Sequence, residues 1–252
     1  PSAKSRRVGR LAYKRMTVTL ARRMWRSLGW MLAAVVCAGL LVQLWYFAHL
    51  LWWTQFNPRS TAFMEARLSE LRLKQPQANL RQQWVSYERI SGNLKRAVVA
   101  AEDAKFVDHE GFDWDGIQKA YKKNLKKHKI VAGGSTISQQ LAKNLFLSTK
   151  RTPWRKAEEA MITLMLETVM TKHRIFEIYL NVIEWGNGIF GAEAAARYYY
   201  HTSAKNLSAS QAAKLAAMVP NPRYYDKHRE ASGLLRKASI IEARMYYVEI
   251  PR

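Results

Sequence analysis

The chain has 252 residues, with 41 Lys and Arg against 19 Asp and Glu, and 48% of its residues are hydrophobic. This length fits one domain, or one domain with an appendage, and the hydrophobic fraction excludes wholesale disorder. A single Cys excludes a disulfide framework, and the net charge of +22 implies an anionic partner, which is nucleic acid, a phospholipid surface or a phosphorylated substrate.

The first 60 residues predict a membrane anchor. No charged residue occurs between Ser27 and Pro58, and this stretch exceeds the roughly 20 apolar residues that span a bilayer. Residues 1–26 carry nine Lys and Arg and no acid, so this basic tail is expected in the cytoplasm and the rest is expected to be exported. A cleaved signal peptide is the weaker alternative, because its apolar region is only about 7–15 residues long.

The charge on the remainder of the chain indicates the kind of partner. Removing the nine cations of the tail from the net charge leaves 22 − 9 = +13 on the exported part. Nucleic acid is then an unfavoured partner, because the basic domain lies on the wrong side of the membrane. Anionic lipid headgroups or a phosphate-bearing lipid substrate fit better. The sequence therefore predicts a single-pass membrane protein whose domain after the span is exported.

Beyond the anchor at 27–53, the pattern predicts an all-α, or mainly α, fold. A connecting segment at 54–83 contains an amphipathic helix over 59–75, and a globular domain occupies 84–252. Residues 84–90 are typical of a short strand. The expected helix starts are Asp113 for a helix through Lys127, Ser135 for Thr136–Leu147, Thr152 with Pro153 for a helix toward Thr171, and Ser208 with Gln211 before Ala212–Val219.

Glu102 is the first candidate for catalytic chemistry. It follows the apolar stretch Ala97–Ala101, and burial there would raise the pKa of its carboxyl toward the range that a general base needs. Asp103 and His109 could orient this carboxyl or cap the helix end. The alternative is an ordinary helix end with a solvated acidic pair.

A second candidate is the helix start at residues 133–136. Two glycines precede two hydroxyl residues there, which predicts an anion-binding start with free N–H groups and the positive end of the helix dipole pointing outward. Gln140 and Lys143 share a face on the turns that follow. The alternative is a capped helix with exposed amides. The residues of this group are Gly133, Gly134, Ser135, Thr136, Gln139, Gln140, Lys143 and Asn144.

The third candidate group contains Arg151, Arg155, Lys156 and Glu159. Arg155 and Lys156 lie four and three residues before Glu159, so all three side chains share one helical face. One interpretation is a surface ion pair, which contributes little stability. The other is a cationic clamp for a leaving phosphate beside a second carboxylate. The glycines and aromatics between Glu184 and Gly191 favour a packing role.

Together these blocks closely resemble the glycosyltransferase domain of bacterial peptidoglycan polymerases over about Trp84 to His228. No Ser-x-x-Lys or Lys-Thr-Gly motif of a penicillin-binding transpeptidase occurs, so the chain resembles the monofunctional members of this family. One departure is His201, which stands where the family usually has Gly. The matching motifs are Glu-Asp-x-x-Phe-x-x-His-x-Gly at 102–111, Gly-x-Ser-Thr-x-x-Gln-Gln at 133–140, Arg-Lys-x-x-Glu at 155–159, Tyr-Leu-Asn at 179–181 and Leu-Ala-x-x-x-Pro-Asn-Pro at 215–222.

The resemblance implies a lysozyme-like fold and the polymerisation of lipid II into β-1,4 glycan strands, with inversion and release of undecaprenyl diphosphate. Glu102 matches the general base of the family and Glu159 its second catalytic carboxylate. Lys143, Arg155 and Lys156 match the cations that hold the departing diphosphate. The substrate-binding residues implied are Asp103, Phe106, His109, Gly134, Ser135, Thr136, Gln139, Gln140, Lys143, Asn144, Arg155 and Lys156.

Partners and cofactors follow in the same way. The implied partners are lipid II, the growing glycan strand, the membrane and cell-division or elongation proteins, with no nucleic acid. No cofactor is evident; Mg²⁺ or Mn²⁺ could assist, although the sequence has no ligand cluster with metal spacing. A lysine face on the helix that follows Asp113 is predicted to meet anionic headgroups, with a merely solvated face as the alternative. That face consists of Lys119, Lys122, Lys123, Lys126 and Lys127.

Two alternatives to a polymerase stay open from the residues. A glycan-cleaving enzyme on the same lysozyme-like scaffold would use one acidic Glu and would not need the cations at Lys143, Arg155 and Lys156. A non-catalytic, membrane-anchored scaffold of cell-wall assembly would function without Glu102.

Overall fold

A computed structural model describes residues 3–127, 133–147 and 152–252, with side chains described from residue 23 onward. The chain divides into two compact units, of which the first ends at Ala48 and the second is His49–Arg252. Each unit is described by itself. Arg151 of the third candidate group lies outside the described residues.

The N-terminal helix α1 extends over Ala3–Trp53, and its part Arg23–Trp53 is long and apolar enough to cross a membrane. These 31 residues correspond to about 46 Å of helix, more than the roughly 30 Å of a bilayer core. Large apolar side chains such as Trp30 and Leu41 are exposed along this helix. Exposure of this kind suits contact with lipid rather than a place in a protein core.

The second unit is mainly helical, which confirms the fold class predicted from the sequence. Short 3₁₀ turns at Tyr87–Arg89, Ala204–Asn206 and Met245–Tyr247 complete the helical structure. The helices are α2 (Ala62–Lys74), α3 (Gly92–Glu102), α4 (Trp114–Lys127), α5 (Ile137–Phe146), α6 (Pro153–Val169), α7 (Lys172–Val182), α8 (Ala192–Tyr200), α9 (Ala209–Met218), α10 (Pro222–Lys227) and α11 (Ser232–Arg244).

Most helix starts follow the capping residues that the sequence predicts. Thr152 caps α6, Ser208 and Gln211 form a capping box on α9, and the Asp113 carboxylate accepts from the Gly116 N–H at 2.9 Å. The prediction for Ser135 is wrong by one residue, because Thr136 caps α5. Thr136 has a Gln three residues later, and only this pair can form the reciprocal hydrogen bonds of a capping box.

The predicted strand at 84–90 is wrong, because side chains take its backbone hydrogen bonds. The Asn181 amide accepts from the Val85 N–H and donates to the Val85 carbonyl, both at 3.0 Å, and the Glu177 carboxylate accepts from the Tyr87 N–H at 3.2 Å. The strands present are β1 (Arg81–Gln82), β2 (Glu184–Gly186) and β3 (Ile189–Phe190). They form a small sheet in the order β1-β3-β2, in which β3 is parallel to β1 and antiparallel to β2.

Small residues let the helix that ends at Glu102 pack closely on its neighbours. Helix α3 packs against α9, and α9 packs against α11. Ala97 on α3 and Ala213 and Ala216 on α9 are fully buried. Close approach of helices needs small side chains at the contact. Helix α5 packs against α6 and α7, and hydrogen bonds from Ile137 and Gln140 of α5 join it to the end of α3.

The turn after α8 has an unusual backbone at His201. This residue has φ 53° and ψ 31°, the left-handed conformation that favours glycine, and its N–H donates to the Arg197 carbonyl at 3.1 Å. The chain therefore keeps the turn that a Gly would form, at the cost of the close approach between Cβ and a backbone carbonyl oxygen that the left-handed conformation imposes.

Candidate active site

Glu102 is the last residue of α3, and its side chain is half-buried. Burial raises the pKa of its carboxyl, in the direction expected from the sequence. A hydrogen bond from Gln140 and the positive charges of Lys237 and Lys143 oppose this shift. The Gln140 Nε2 donates to Glu102 Oε2 at 2.8 Å. The result is a carboxylate held in one orientation and more basic than a solvated Glu.

Tyr179 fixes the orientation of the Gln140 amide. Its hydroxyl donates to Gln140 Oε1 at 2.9 Å, and the side chain is fully buried. Burial raises the pKa of Tyr179 well above its usual range, so the hydroxyl keeps its proton. Because the amide oxygen of Gln140 accepts the hydrogen bond from Tyr179, the amide nitrogen must face Glu102. The sequence placed Tyr179 in a motif but did not predict this contact.

Asp103 and His109 do not contact the Glu102 carboxylate. The two oxygens of Asp103 bond to His109 Nε2 at 3.0 and 3.1 Å, and Oδ2 also accepts from the Ile137 N–H at 3.0 Å. Asp103 thus joins the end of α3 to the first turn of α5. Of the two roles expected for this pair, the structure shows the capping of a helix end.

Three N–H groups at the start of α5 are already hydrogen-bonded within the protein, and the anion-binding interpretation of this helix start stays a prediction. The Thr136 and Gln139 N–H groups bond to each other's side chains at 3.0 and 3.2 Å, and Asp103 takes the Ile137 N–H. A carboxylate of the chain itself therefore already occupies the positive end of the helix dipole. Gly134 serves packing, since a Cβ there would lie 3.0 Å from the Ile117 Cα of α4.

Several predicted substrate contacts lie in the interior. Phe106 is fully buried, with its ring 5.5 Å from the Phe176 ring and 4.6 Å from the Lys172 ammonium. Thr136 and Gln139 are buried in their capping box. Phe106 and Gln139 line neither of the clefts beside the site. The predicted residues with atoms in a cleft beside Glu102 or Lys143 are Asp103, Gly134, Ser135, Thr136, Gln140, Asn144 and Arg155.

Glu159 is the centre of the cation cluster. It is only 3% exposed, and its carboxylate bonds to Arg155 Nη1 at 2.9 Å and to Lys156 Nζ at 2.5 Å. Arg155 Nε is also buried, and no hydrogen-bond partner for it exists among the described residues. Arg155, Lys156 and the nearby Lys143 carry three positive charges against the one negative charge of Glu159. This excess of positive charge, with the unused donor at Arg155 Nε, suits an anionic ligand.

Lys143 lies between the two carboxylates. Burial lowers the pKa of its ammonium, and the charges of Arg155 and Lys156 lower it further, whereas the charges of Glu159 and Glu102 raise it. Lys143 therefore connects the general-base candidate to the cation cluster. The i, i+3 spacing of Gln140 and Lys143 places both on the face of α5 that lines the cleft.

The cleft beside Lys143 has a volume of about 590 Å³, and its second wall was missed from the sequence. That wall includes Phe63, Arg67 and Glu70 of α2, which lie in the segment 54–83 that the sequence predicts to be a connection. Arg67 and Glu184 form a buried two-bond ion pair at 2.8 and 3.0 Å that holds α2 against β2. A pairing between residues so far apart in the chain leaves no local sequence signal.

Lys237 on α11 is a second residue that the motifs did not reveal. Its charge lowers the pKa of Glu102, and burial lowers the pKa of Lys237 itself. Within the described ranges, no group of three or more His, Cys, Asp or Glu could hold a metal ion.

Known proteins resemble this chain over most of its length. Residues 69–246 match the model of the transglycosylase family. The biosynthetic peptidoglycan transglycosylase of Methylobacillus flagellatus is 72% identical over 227 residues, which cover 90% of this chain and 97% of that protein. The protein of the same name from Chromobacterium violaceum is 67% identical over 220 residues, covering 87% and 96%. That of Dechloromonas aromatica is 63% identical over 226 residues, covering 90% and 98%.

Proposed function

Because the chain belongs to the transglycosylase family, we propose that it polymerises lipid II into peptidoglycan glycan strands. The observation that carries this proposal is that a candidate general base adjoins a cluster of cations. A half-buried, oriented Glu102 lies beside Lys143, and Lys143 adjoins the cations around Glu159. A base next to a cluster of cations suits a reaction that removes a proton from one substrate and a diphosphate from the other.

In the proposed step, Glu102 takes the proton from the 4-hydroxyl of the GlcNAc of the acceptor lipid II. The resulting oxygen attacks C1 of the MurNAc on the growing chain. The bond between C1 and the diphosphate oxygen breaks, and its electron pair leaves with the diphosphate. Attack on the face opposite an α-linked diphosphate forms a β-1,4 bond with inversion. Burial assists because it makes the Glu102 carboxylate more basic than a solvated one.

The leaving diphosphate is stabilised by Lys143, Arg155 and Lys156 in this proposal. Their positive charges meet the negative charge that develops on the leaving group in the transition state. Glu159 contacts Arg155 and Lys156, so it acts as a positioning residue for these cations. The cluster favours polymerisation over the glycan-cleaving alternative, because hydrolysis of a glycan releases no diphosphate.

The membrane anchor places this reaction at a bilayer surface in our proposal. The span Arg23–Trp53 would cross the inner membrane, with residues 1–26 in the cytoplasm and the catalytic domain in the periplasm. The boundaries at 27–53, 54–83 and 84–252 remain predictions. A reporter that works only outside the cytoplasm should be active when it is fused after Arg252. A reporter that works only in the cytoplasm should be active when it is fused to the N-terminus. The reverse pattern contradicts this orientation.

Helix α4 supports a catalytic domain that touches the bilayer. None of its described side chains is buried, and Trp114, Tyr121 and Leu125 are 72%, 64% and 56% exposed on one face. The five predicted lysines are also exposed, and the helical period places most of them on the opposite face from this apolar stripe. A helix with an exposed apolar stripe and a lysine-rich opposite face is typical of one that lies in the interface of an anionic membrane. We propose that α4 does so.

The test of the function is incubation of the detergent-solubilised protein with labelled lipid II. We expect products of increasing length on size separation, and their conversion to small fragments by lysozyme, which cleaves β-1,4 glycan. Consumption of preformed glycan without consumption of lipid II would favour the glycan-cleaving alternative. Full function in cells after loss of Glu102 would favour the non-catalytic scaffold.

A further inference from the structure

Arg174 holds the segment that follows the last turn of α1. Its Nε donates to the Trp53 carbonyl at 2.9 Å, and its Nη2 donates to the Phe56 carbonyl and to Asn57 Oδ1, both at 2.8 Å. Its Nη1 donates to the Glu177 carboxylate at 2.5 Å. The Arg174 side chain is only 14% exposed, and all three guanidinium nitrogens are engaged. Three bonds from one rigid, planar group fix both the position and the orientation of this segment.

Helix α5 contacts the same segment from another side. The ring of Phe146, the last residue of α5, lies 5.2 Å from the Trp53 ring and 6.5 Å from the His49 ring. Helix α5 also carries Gln140 and Lys143 of the candidate site. The end of the predicted span therefore meets both the helix of Arg174 and a helix with catalytic groups.

Helix α7 connects this contact to the general base. Arg174 and Tyr179 lie on α7 about 7.5 Å apart along the helix axis, from the 1.5 Å rise per residue. The Tyr179 hydroxyl bonds to Gln140, and Gln140 bonds to Glu102. A helix bonds each turn to the next, so a shift at its first turn displaces the turns that follow. The position of the segment that follows α1 is thus linked through α7 to the position of Glu102.

We propose that Arg174 is a positioning residue that fixes the height of the catalytic groups above the bilayer. This inference rests on the proposed function. The polyprenyl tail of lipid II stays in the bilayer, which holds the diphosphate at the level of the headgroups. The cations at Lys143 and Arg155 must then stand at that level too. A catalytic domain freed from the end of its anchor presents these cations at variable heights to a substrate whose height is fixed.

The experiment compares two substrates for the full chain. One is polyprenyl lipid II in liposomes that also hold the protein, and the other is a short-chain, water-soluble lipid II analogue. For Arg174→Gln we expect a roughly 10- to 100-fold lower rate on the liposome substrate, the size that small misplacement costs, and a rate on the soluble analogue within about twofold of the unsubstituted protein. Arg174→Lys keeps the charge but loses the fork of donors, so its loss should be smaller.

Two further variants keep the result interpretable. Asn57→Ala removes the acceptor of one of the three hydrogen bonds from Arg174. It should therefore lower the ratio of the liposome rate to the rate on the soluble analogue, as Arg174→Gln does. Arg197→Gln is the matched control, since Arg197 is an exposed arginine paired with Glu193 on its own helix, and it should leave the ratio unchanged. Melting temperatures verify that each variant is folded.

The outcomes separate this inference from the function. Equal losses on both substrates would show that Arg174 serves the fold or the site, and no loss in liposomes would show that it serves neither; both overturn the inference while leaving the polymerase intact. If the unsubstituted chain extends neither substrate, the proposed function fails, and the inference fails with it.

Discussion

Replacing Glu102 by Gln removes the proton acceptor but keeps the shape of the side chain. The new amide can turn its oxygen toward Gln140 Nε2 and keep the hydrogen bond that Glu102 makes at 2.8 Å. We therefore expect lipid II, and the diphosphate-mimicking inhibitor moenomycin, to bind with little change. Turnover should fall at least ~10²-fold, the low end for the loss of general-base catalysis, and the loss should persist at every pH.

Replacing Glu159 by Gln should weaken the binding of moenomycin, which the Glu102 substitution leaves nearly unchanged. The negative charge of Glu159 raises the pKa of Lys143 against the effect of burial. Without that charge the pKa of Lys143 falls further, and Arg155 and Lys156 lose the carboxylate that positions them, so the diphosphate is held less well. We expect moenomycin affinity to weaken, and the pH above which this affinity declines to move to a lower value, because a lowered pKa makes Lys143 lose its proton at a lower pH.

The assay measures initial rate and moenomycin affinity for both variants at several pH values. The unsubstituted protein should lose activity as the pH falls through the raised pKa of Glu102, at a higher pH than a solvated Glu would give. If Glu102→Gln polymerises at nearly the normal rate while Glu159→Gln is inactive with its binding intact, the base has been assigned to the wrong carboxylate.

Three other predictions use residues around the site. Tyr179→Phe removes the hydroxyl that orients Gln140, so the rate should fall by roughly fivefold, equivalent to one hydrogen bond of about 1 kcal/mol. An unchanged rate would show that Gln140 holds its orientation unaided. Lys237→Met removes a charge that lowers the pKa of Glu102, so the acid limb of the pH–rate profile should move to higher pH. A limb that stays in place would contradict this electrostatic contact. His201→Gly should relieve the left-handed backbone and stabilise the fold by up to about 1 kcal/mol, seen as a higher melting temperature. A lower melting temperature would show that the His201 side chain contributes more than its backbone costs.

The sequence by itself determined the class of fold and the local structure. Helix starts at Thr152 and Ser208 depend on a side chain that bonds to a backbone N–H three residues away, and such contacts are readable from spacing. The span ending at Trp53 depends only on length and the absence of charge. The burial of Glu102 followed from the apolar stretch before it. The pairing of Arg155 and Lys156 with Glu159 followed from helical spacing.

Only the tertiary structure decided how the distant parts of the site meet. Asp103 takes an N–H group at the start of α5, which was expected to stay free for an anion. Asn181 takes the backbone bonds that would have made Val85 part of a strand. The charge of Lys237 acts on Glu102, and Arg67 lines the cleft, although both lie on helices far from the motifs in the chain. These contacts join residues of large sequence separation, and no local pattern of spacing or hydrophobicity records them, because packing brings the residues together only in the folded chain.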